Sequence, residues 1–180
     1  MSDFYQKQVH LETEHLVLRE LRETDREDIF NNINHDKEVL KYYLDNYHED
    51  IASFSLEKTL DWCRKAERYY LAIVLKDTGE VIGTINQCSG INRYFNNIEI
   101  GYALGSKYWN KGYGTEALKA FITFLFGKGI HKVYCGCIKE NTASSKVMLK
   151  AGMKYEGTRI QEIYYHERYW DIDYYCLING

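Results

Sequence analysis

The nine residues Trp109-Asn110-Lys111-Gly112-Tyr113-Gly114-Thr115-Glu116-Ala117 hold the strongest chemical signal in this chain. Two glycines one residue apart allow a tight turn and a close approach of backbone to ligand. An amphipathic stripe follows, with Ala117, Leu118, Phe121, Ile122 and Leu125 at helical spacing and Gly127 or Gly129 to end it. The free N–H groups in the first turn of a helix, reinforced by its dipole, favour an anion. A strand-like run, Asn97-Ile98-Glu99-Ile100-Gly101-Tyr102-Ala103-Leu104, precedes the loop. Strand, glycine loop and helix N-terminus together make a site for a phosphate or pyrophosphate.

Several phosphate-binding patterns compete for this segment. Gly112 to Ala117 satisfies the loose dinucleotide pattern G-x-G-x-x-A, but that unit wants its first glycine directly after the strand and an acid about 20 residues on. Here seven residues separate Leu104 from Gly112, and the next strand ends at Cys137-Ile138-Lys139 without an acid. The nucleotide P-loop fails too, because Lys111 lies before the glycines. The plain alternative is a glycine turn that merely starts a helix.

A chain of 180 residues suits one domain, and no repeat, low-complexity run or linker divides 1–180. A net charge of −3 argues against a broad electrostatic grip on nucleic acid or an anionic membrane. No apolar run approaches the roughly 20 residues of a membrane span. Met1-Ser2-Asp3-Phe4-Tyr5 has neither the basic nor the apolar part of a signal peptide, so a cytoplasmic protein is expected. The five cysteines match no zinc spacing, and no metal is expected. They read as small buried hydrophobes, with Cys135 and Cys137 on one strand face. Seventeen tyrosines suit strands and pocket walls, and each singly carries little functional weight.

The elements that must position the loop can be read in order. Leu16 to Leu21 reads as a first strand, and Thr24 or Asp25 as the cap of a helix to about Asn34. Ile51 to Arg68 carries a second helical region. Tyr69 to Leu75 and Val81 to Ile85 form a hairpin about Asp77-Thr78-Gly79-Glu80, and Asn97 to Leu104 adds a third strand. After the glycine-loop helix come a strand at His131–Ile138, a short helix from Asn141 to Ala151, and strands near Lys154–Ile160 and Arg168–Leu177. The result is a mixed α/β domain of about seven strands, largely antiparallel in its front half.

Five segments in this order resemble one family. They are Glu14-His15-Leu16-Val17-Leu18-Arg19 with Thr24-Asp25; Gly79-Glu80-Val81-Ile82-Gly83-Thr84; Glu99-Ile100-Gly101-Tyr102 with Trp109 to Ala117; Asn141-Thr142-Ala143-Ser144 with Lys150 to Gly157; and Trp170 to Tyr175. Over nearly the whole chain the sequence resembles the GNAT superfamily of acyl-CoA N-acyltransferases. Within it the chain is most similar to the branch containing the RimJ and RimL ribosomal-protein N-terminal acetyltransferases.

The resemblance implies a mostly antiparallel sheet flanked by helices, with a splayed parallel strand pair, Ile98–Leu104 and Lys132–Ile138, that holds acetyl-CoA. It implies that the pantetheine arm pairs with Tyr102, Ala103 and Leu104, and that an N–H near Ala103 or Leu104 polarises the thioester carbonyl. The pyrophosphate would rest on Lys111, Gly112, Tyr113, Gly114 and Thr115, and Asn141 and Ser144 would touch the rest of CoA. Glu99 would be the base that takes a proton from the attacking amine; on alternation alone it is equally a glutamate on the polar face of a strand. Tyr43, Trp62, Tyr164 and Tyr165 would wall the acceptor pocket, and each singly also reads as packing.

Two positions depart from the family pattern. Trp109 stands where Gln or Arg is usual, and Met148 replaces a tyrosine that often protonates the leaving thiolate, leaving Ser144, another tyrosine or water for that role. The implied function is acetyl transfer to a primary amine, a protein N-terminus or a small molecule, by direct attack in a ternary complex. The other reading is an inactive CoA-binding sensor or scaffold. A homodimer is a further implication.

Overall fold

Runs of β-branched and aromatic residues build the strands. The computed structural model describes residues 8–90, 94 and 96–180. Among these residues the strands are β1 (His10–Glu12), β2 (Leu16–Glu20), β3 (Tyr70–Leu75), β4 (Val81–Gln87), β5 (Asn97–Leu104), β6 (Lys132–Ile138), β7 (Lys154–Tyr165) and β8 (Arg168–Ile178). They form one eight-stranded sheet in the order β1-β2-β3-β4-β5-β6-β8-β7. The strand beyond the expected seven is β1, whose three residues are too short a run to show alternation. Every neighbouring pair is antiparallel except β5 and β6.

Helices cover both faces. The apolar stripe of α4 (Tyr113–Gly127) buries Leu118, Phe121, Ile122 and Leu125 against Leu18, Ile73, Ile85, Ile98 and Ile100, and Met148 of α5 (Thr142–Lys150) joins the same core. The opposite face carries α1 (Arg26–Ile29), α2 (Lys37–Leu40) and α3 (Leu56–Ala66). There Ile29, Phe30, Ile33, Val39, Phe54 and Leu56 pack on Ala72, Val74 and Ala103.

The helix expected from Thr24 or Asp25 to Asn34 is not one regular helix. A 3₁₀ turn over Glu23–Asp25 leads into α1 and then a π turn over Phe30–Asn34. Asp25 caps nothing within α1, because Arg19 takes its carboxylate through two 2.7 Å hydrogen bonds. The same carboxylate also accepts from the Arg22 N–H at 2.8 Å. Asn32 pins the π turn to the sheet by donating to the Val81 carbonyl at 2.8 Å. The bidentate pair thus anchors the helical cover of this face to β2. Its partners are 15% and 5% exposed at the side chain. Asp25→Ala is expected to lower stability by about 3 kcal/mol, since it strands a nearly buried guanidinium; the midpoint of chemical denaturation measures it.

Candidate active site

The parallel pair β5–β6 is short. Residue partners run Asn97–Lys132, Ile98–Val133 and Glu99–Tyr134, and there the pairing ends. Each strand then continues against its other neighbour, β5 with β4 to Leu104 and β6 with β8 to Ile138. The strands part like a fork, with Glu99 at the branch. The Cys88 N–H donates to the Glu99 carbonyl and the Gly105 N–H to the Ile82 carbonyl, so odd-numbered backbone groups of β5 face β4. By alternation, the groups of Tyr102 and Leu104 face the gap. Ala103 does not, which narrows the expected oxyanion donor to Leu104.

Two helix N-termini meet the open end. Asn110 and Gly112 take left-handed conformations, φ 61° and 88°, and aim the chain into α4. Among the described residues no side chain caps α4, so its first N–H groups remain donors. A Cβ added at Gly112 would meet nothing within 4 Å, while one at Gly114 would lie 3.6 Å from Val147 of α5. Lys111 is exposed, with its ammonium 5.5 Å from the Tyr108 ring centre. Trp109 is structural: its indole Nε1 donates to the Leu104 carbonyl at 2.7 Å and ties the loop to β5. Asn141 caps α5 by accepting from the Ser144 N–H at 3.1 Å. Glu116, in the first turn of α4, accepts from the backbone N–H and Nδ1 of His15.

Tyr102 and Ser144, expected only as separate contacts, are brought together. The Tyr102 hydroxyl lies 2.8 Å from Ser144 Oγ, spanning from β5 to the start of α5. Burial and the nearby Cys135 and Cys137 thiols raise the Tyr102 pKa far above its ordinary value, so its proton stays in place. Met148 is fully buried and plays no part here.

The other side of the sheet presents a different chemistry. Glu99 is half-buried on the face with Gly101 and Ala103, opposite Ile98, Ile100 and Tyr102. Burial raises its pKa, Arg159 counters that and Glu162 adds to it. Tyr134 and Tyr174 stand beside it, 6.2 Å between ring centres, and burial followed by the Glu99 charge raises both. Further along this face, the hydroxyls of Tyr43, Tyr70 and Thr84 gather, with the Asp45 charge near both tyrosines. Burial raises both phenols. Thr84 Oγ1, beside the two phenols, has no well-aligned partner among the described residues.

The expected pocket walls divide. Tyr43 lies on the Glu99 face. Trp62 is 47% exposed on α3 but is tied to this end of the sheet, because Arg68 covers its ring at 5.0 Å and donates to the Cys88 carbonyl. Tyr165 is an anchor: its hydroxyl reaches the Leu40, Tyr43 and Asp45 carbonyls at 2.9, 3.1 and 3.2 Å. Tyr164 is 64% exposed, packs on Tyr169, and lines an open cleft with Leu44, Asp45 and Asn46. Tyr134, Tyr174, Tyr70, Thr84 and Arg159 escaped sequence reasoning. Alternation could place each on a face of its own strand, but only the register between strands sets Tyr134, Tyr174 and Arg159 near Glu99 and gathers Tyr70 and Thr84 with Tyr43 further along the same face.

With this geometry in view, the relatives speak to one class. Residues 15–154 match the family model described as acetyltransferase (GNAT) domain, and the chain belongs to that family. The uncharacterized N-acetyltransferase YnaD of Bacillus subtilis is 30% identical over 175 residues, which is 94% of this chain and 97% of that protein. A GNAT-family acetyltransferase structure from Bacillus anthracis superposes with a TM-score of 0.79 at 27% identity, covering 95% of this chain and 99% of that one. The ribosomal-protein-S5-alanine acetyltransferase of Vibrio fischeri gives 0.80 at 25% identity, over 95% and 97%. The protein is an N-acetyltransferase of the GNAT family.

Contrary to the uniform burial expected of the cysteines, Cys88 is exposed, while Cys63, Cys135 and Cys137 are buried. Its sulfur fills the space beside Gly101, where an added Cβ would lie 2.9 Å away. Local burial and the Glu99 charge push its thiol up to about 11. Cys88 is expected to be the first thiol modified by a disulfide reagent, with a rate that climbs nearly tenfold per pH unit between about pH 8 and 10 as thiolate forms. Cys88→Ser should remove that fast phase.

Proposed function

We propose that this chain transfers the acetyl group of acetyl-CoA to a primary amine, in a ternary complex, with Glu99 as the base. The observation that carries the reading is the fork whose branch point is a half-buried glutamate with a raised pKa. The residues present suit CoA. The backbone of Tyr102 and Leu104 offers strand-like hydrogen bonds to a pantetheine arm, and the uncapped start of α4, with Lys111 at its rim, suits a pyrophosphate. Gly112, Tyr113, Gly114 and Thr115 supply that turn, and Asn141 and Ser144 line the α5 side. Bound acetyl-CoA supplies the activated acyl group.

The chain's own groups then divide the work by sheet face. Glu99 and the tyrosines around it receive the amine on one face. A free amine is mostly protonated at pH 7, so a carboxylate with a raised pKa is suited to take its proton, directly or through water. The Leu104 N–H is placed to steady negative charge developing on the acyl oxygen. The Tyr102–Ser144 hydroxyl pair, on the other face, offers a hydrogen bond to the departing thiolate in place of the missing tyrosine at 148. The acceptor is a protein α-amine or a small amine. Two relatives point to the former: the Vibrio fischeri structure and a 26% identical Escherichia coli protein matched over 95 residues are both named for acetylation of a ribosomal-protein alanine. This reading places the protein in the cytoplasm.

Thiol release from acetyl-CoA against a panel of amines and N-terminal peptides tests the reading. Glu99→Gln is expected to cut kcat/KM by about 10²- to 10³-fold where Glu99 is ionised, with the deficit shrinking as pH falls through the raised Glu99 pKa, because the wild-type carboxyl is then protonated too. Equal rates for variant and wild type would remove Glu99 from the mechanism. Gly112→Ala, which must adopt a left-handed φ of 88°, is expected to weaken CoA binding about tenfold by calorimetry.

A further inference from the structure

Strand β7 is not regular beyond Arg159. Arg159 pairs with Ile172 and Ile163 with Trp170, so four steps along β7 match two along β8. Gln161 takes a φ of 51° inside this bulge, and its N–H donates to Asp171 Oδ1. In a regular strand, residues three apart point to opposite faces about 10 Å apart. Here the bulge folds Glu162 back until its carboxylate meets Arg159 Nη1 at 2.9 Å. The same guanidinium lies over the Tyr174 ring, 4.5 Å from its centre. Tyr174 in turn lies across Gly136, where an added Cβ would stand 3.0 Å from Cε1 of that ring. Only glycine at 136 lets the tyrosine reach across β6, toward Tyr134 and Glu99, with Arg159 on top of it.

We infer that Arg159 is a positioning residue for Glu99: held by Glu162 and the Tyr174 ring, its guanidinium is a fixed positive charge facing the carboxylate that takes the amine's proton. The inference rests on the reading of Glu99 as base. The bulge is what makes the arrangement specific, since an ordinary surface ion pair needs none and contributes little. Among the described residues, the groups facing Glu99 are Cys88 just after β4, with Arg68 beyond it, Tyr134 on β6, Tyr174 on β8, and Arg159 and Glu162 on β7. Arg159 is, among the described residues, the charge acting on the Glu99 carboxyl that favours its ionised form, and the Glu99 charge in turn helps hold the proton on Arg159.

The sign follows. A base must be ionised to act, so kcat/KM falls as pH drops through the Glu99 pKa. Loss of Arg159 raises that pKa further. In Arg159→Gln the acid limb of kcat/KM is expected to move to higher pH by about half to one unit. The deficit at the foot of the limb is then about three- to tenfold, shrinking as pH rises. Arg159→Lys should move the limb less than half as far. About 1 M salt should shift the wild-type limb toward that of Arg159→Gln while barely moving the variant's own. The acceptor's own titration is common to all the proteins and cancels in the comparison. Superimposable limbs for wild type and Arg159→Gln would overturn the inference. A limb that persists unchanged in Glu99→Gln would instead overturn the reading of Glu99 as base, which keeps the two failures distinct.

Discussion

The parting of β5 from β6 after Glu99 and Tyr134 is the constraint on which the site depends. Backbone N–H and C=O groups need partners, and a sheet normally supplies them by continuing. Here each strand finds its partners on one side only, so the gap keeps a short edge of donors and acceptors inside the molecule. Such an edge suits an extended, amide-bearing arm that can act as a missing strand. Trp109 and Asn141 take two of the exposed carbonyls, at Leu104 and Ile138, which leaves the middle of the gap without a hydrogen-bond partner among the described residues.

The fork also separates two chemistries. Side chains alternate across a strand, so one strand carries Glu99 to one face and Tyr102 to the other. The Glu99 face is lined by phenols, with a guanidinium and two further carboxylates near them. The Tyr102 face joins the larger apolar core and the two helix N-termini. In the proposed reaction, proton removal and anion binding are thereby kept apart, although their groups are only residues apart in the chain. Burial acts on both sides in the same direction: it raises the carboxyl toward the range where a base is useful, and it holds the phenol firmly protonated.

The helical cover serves the same end. Arg19 and Asp25 anchor the irregular segment from Glu23 to Asn34, and Asn32 fastens it to β4. Tyr165 fastens the β7–β8 hairpin to the loop after α2. That hairpin turns on His166 and Glu167, both left-handed at φ 50° and 61°. Neither is the Asn or Gly such a turn favours, so these contacts, rather than turn propensity, set its place. The Glu99 face is thus bounded by segments with weak local preferences, held by a few specific hydrogen bonds.

Much of this was legible in the chain itself. Periodicity and glycine placement determined β5, α4, β6 and α5, because each buries one regular stripe and its local signals agree. The turn conformation of the glycine loop was legible for the same local reason: φ and free N–H groups belong to a few consecutive residues. Alternation placed Glu99 opposite Ile98 and Ile100. The short β1, the broken first helix and the extension of β7 past Ile160 to Tyr165 were not legible, because each owes its form to a neighbour. Only the tertiary structure decided which residues surround Glu99, because strand register and the bulge in β7 are set by pairing between segments far apart in sequence. It also decided that Tyr165 and Trp109 are fasteners and that Tyr102 meets Ser144, since a side chain's partner depends on what the fold brings within about 3 Å of it.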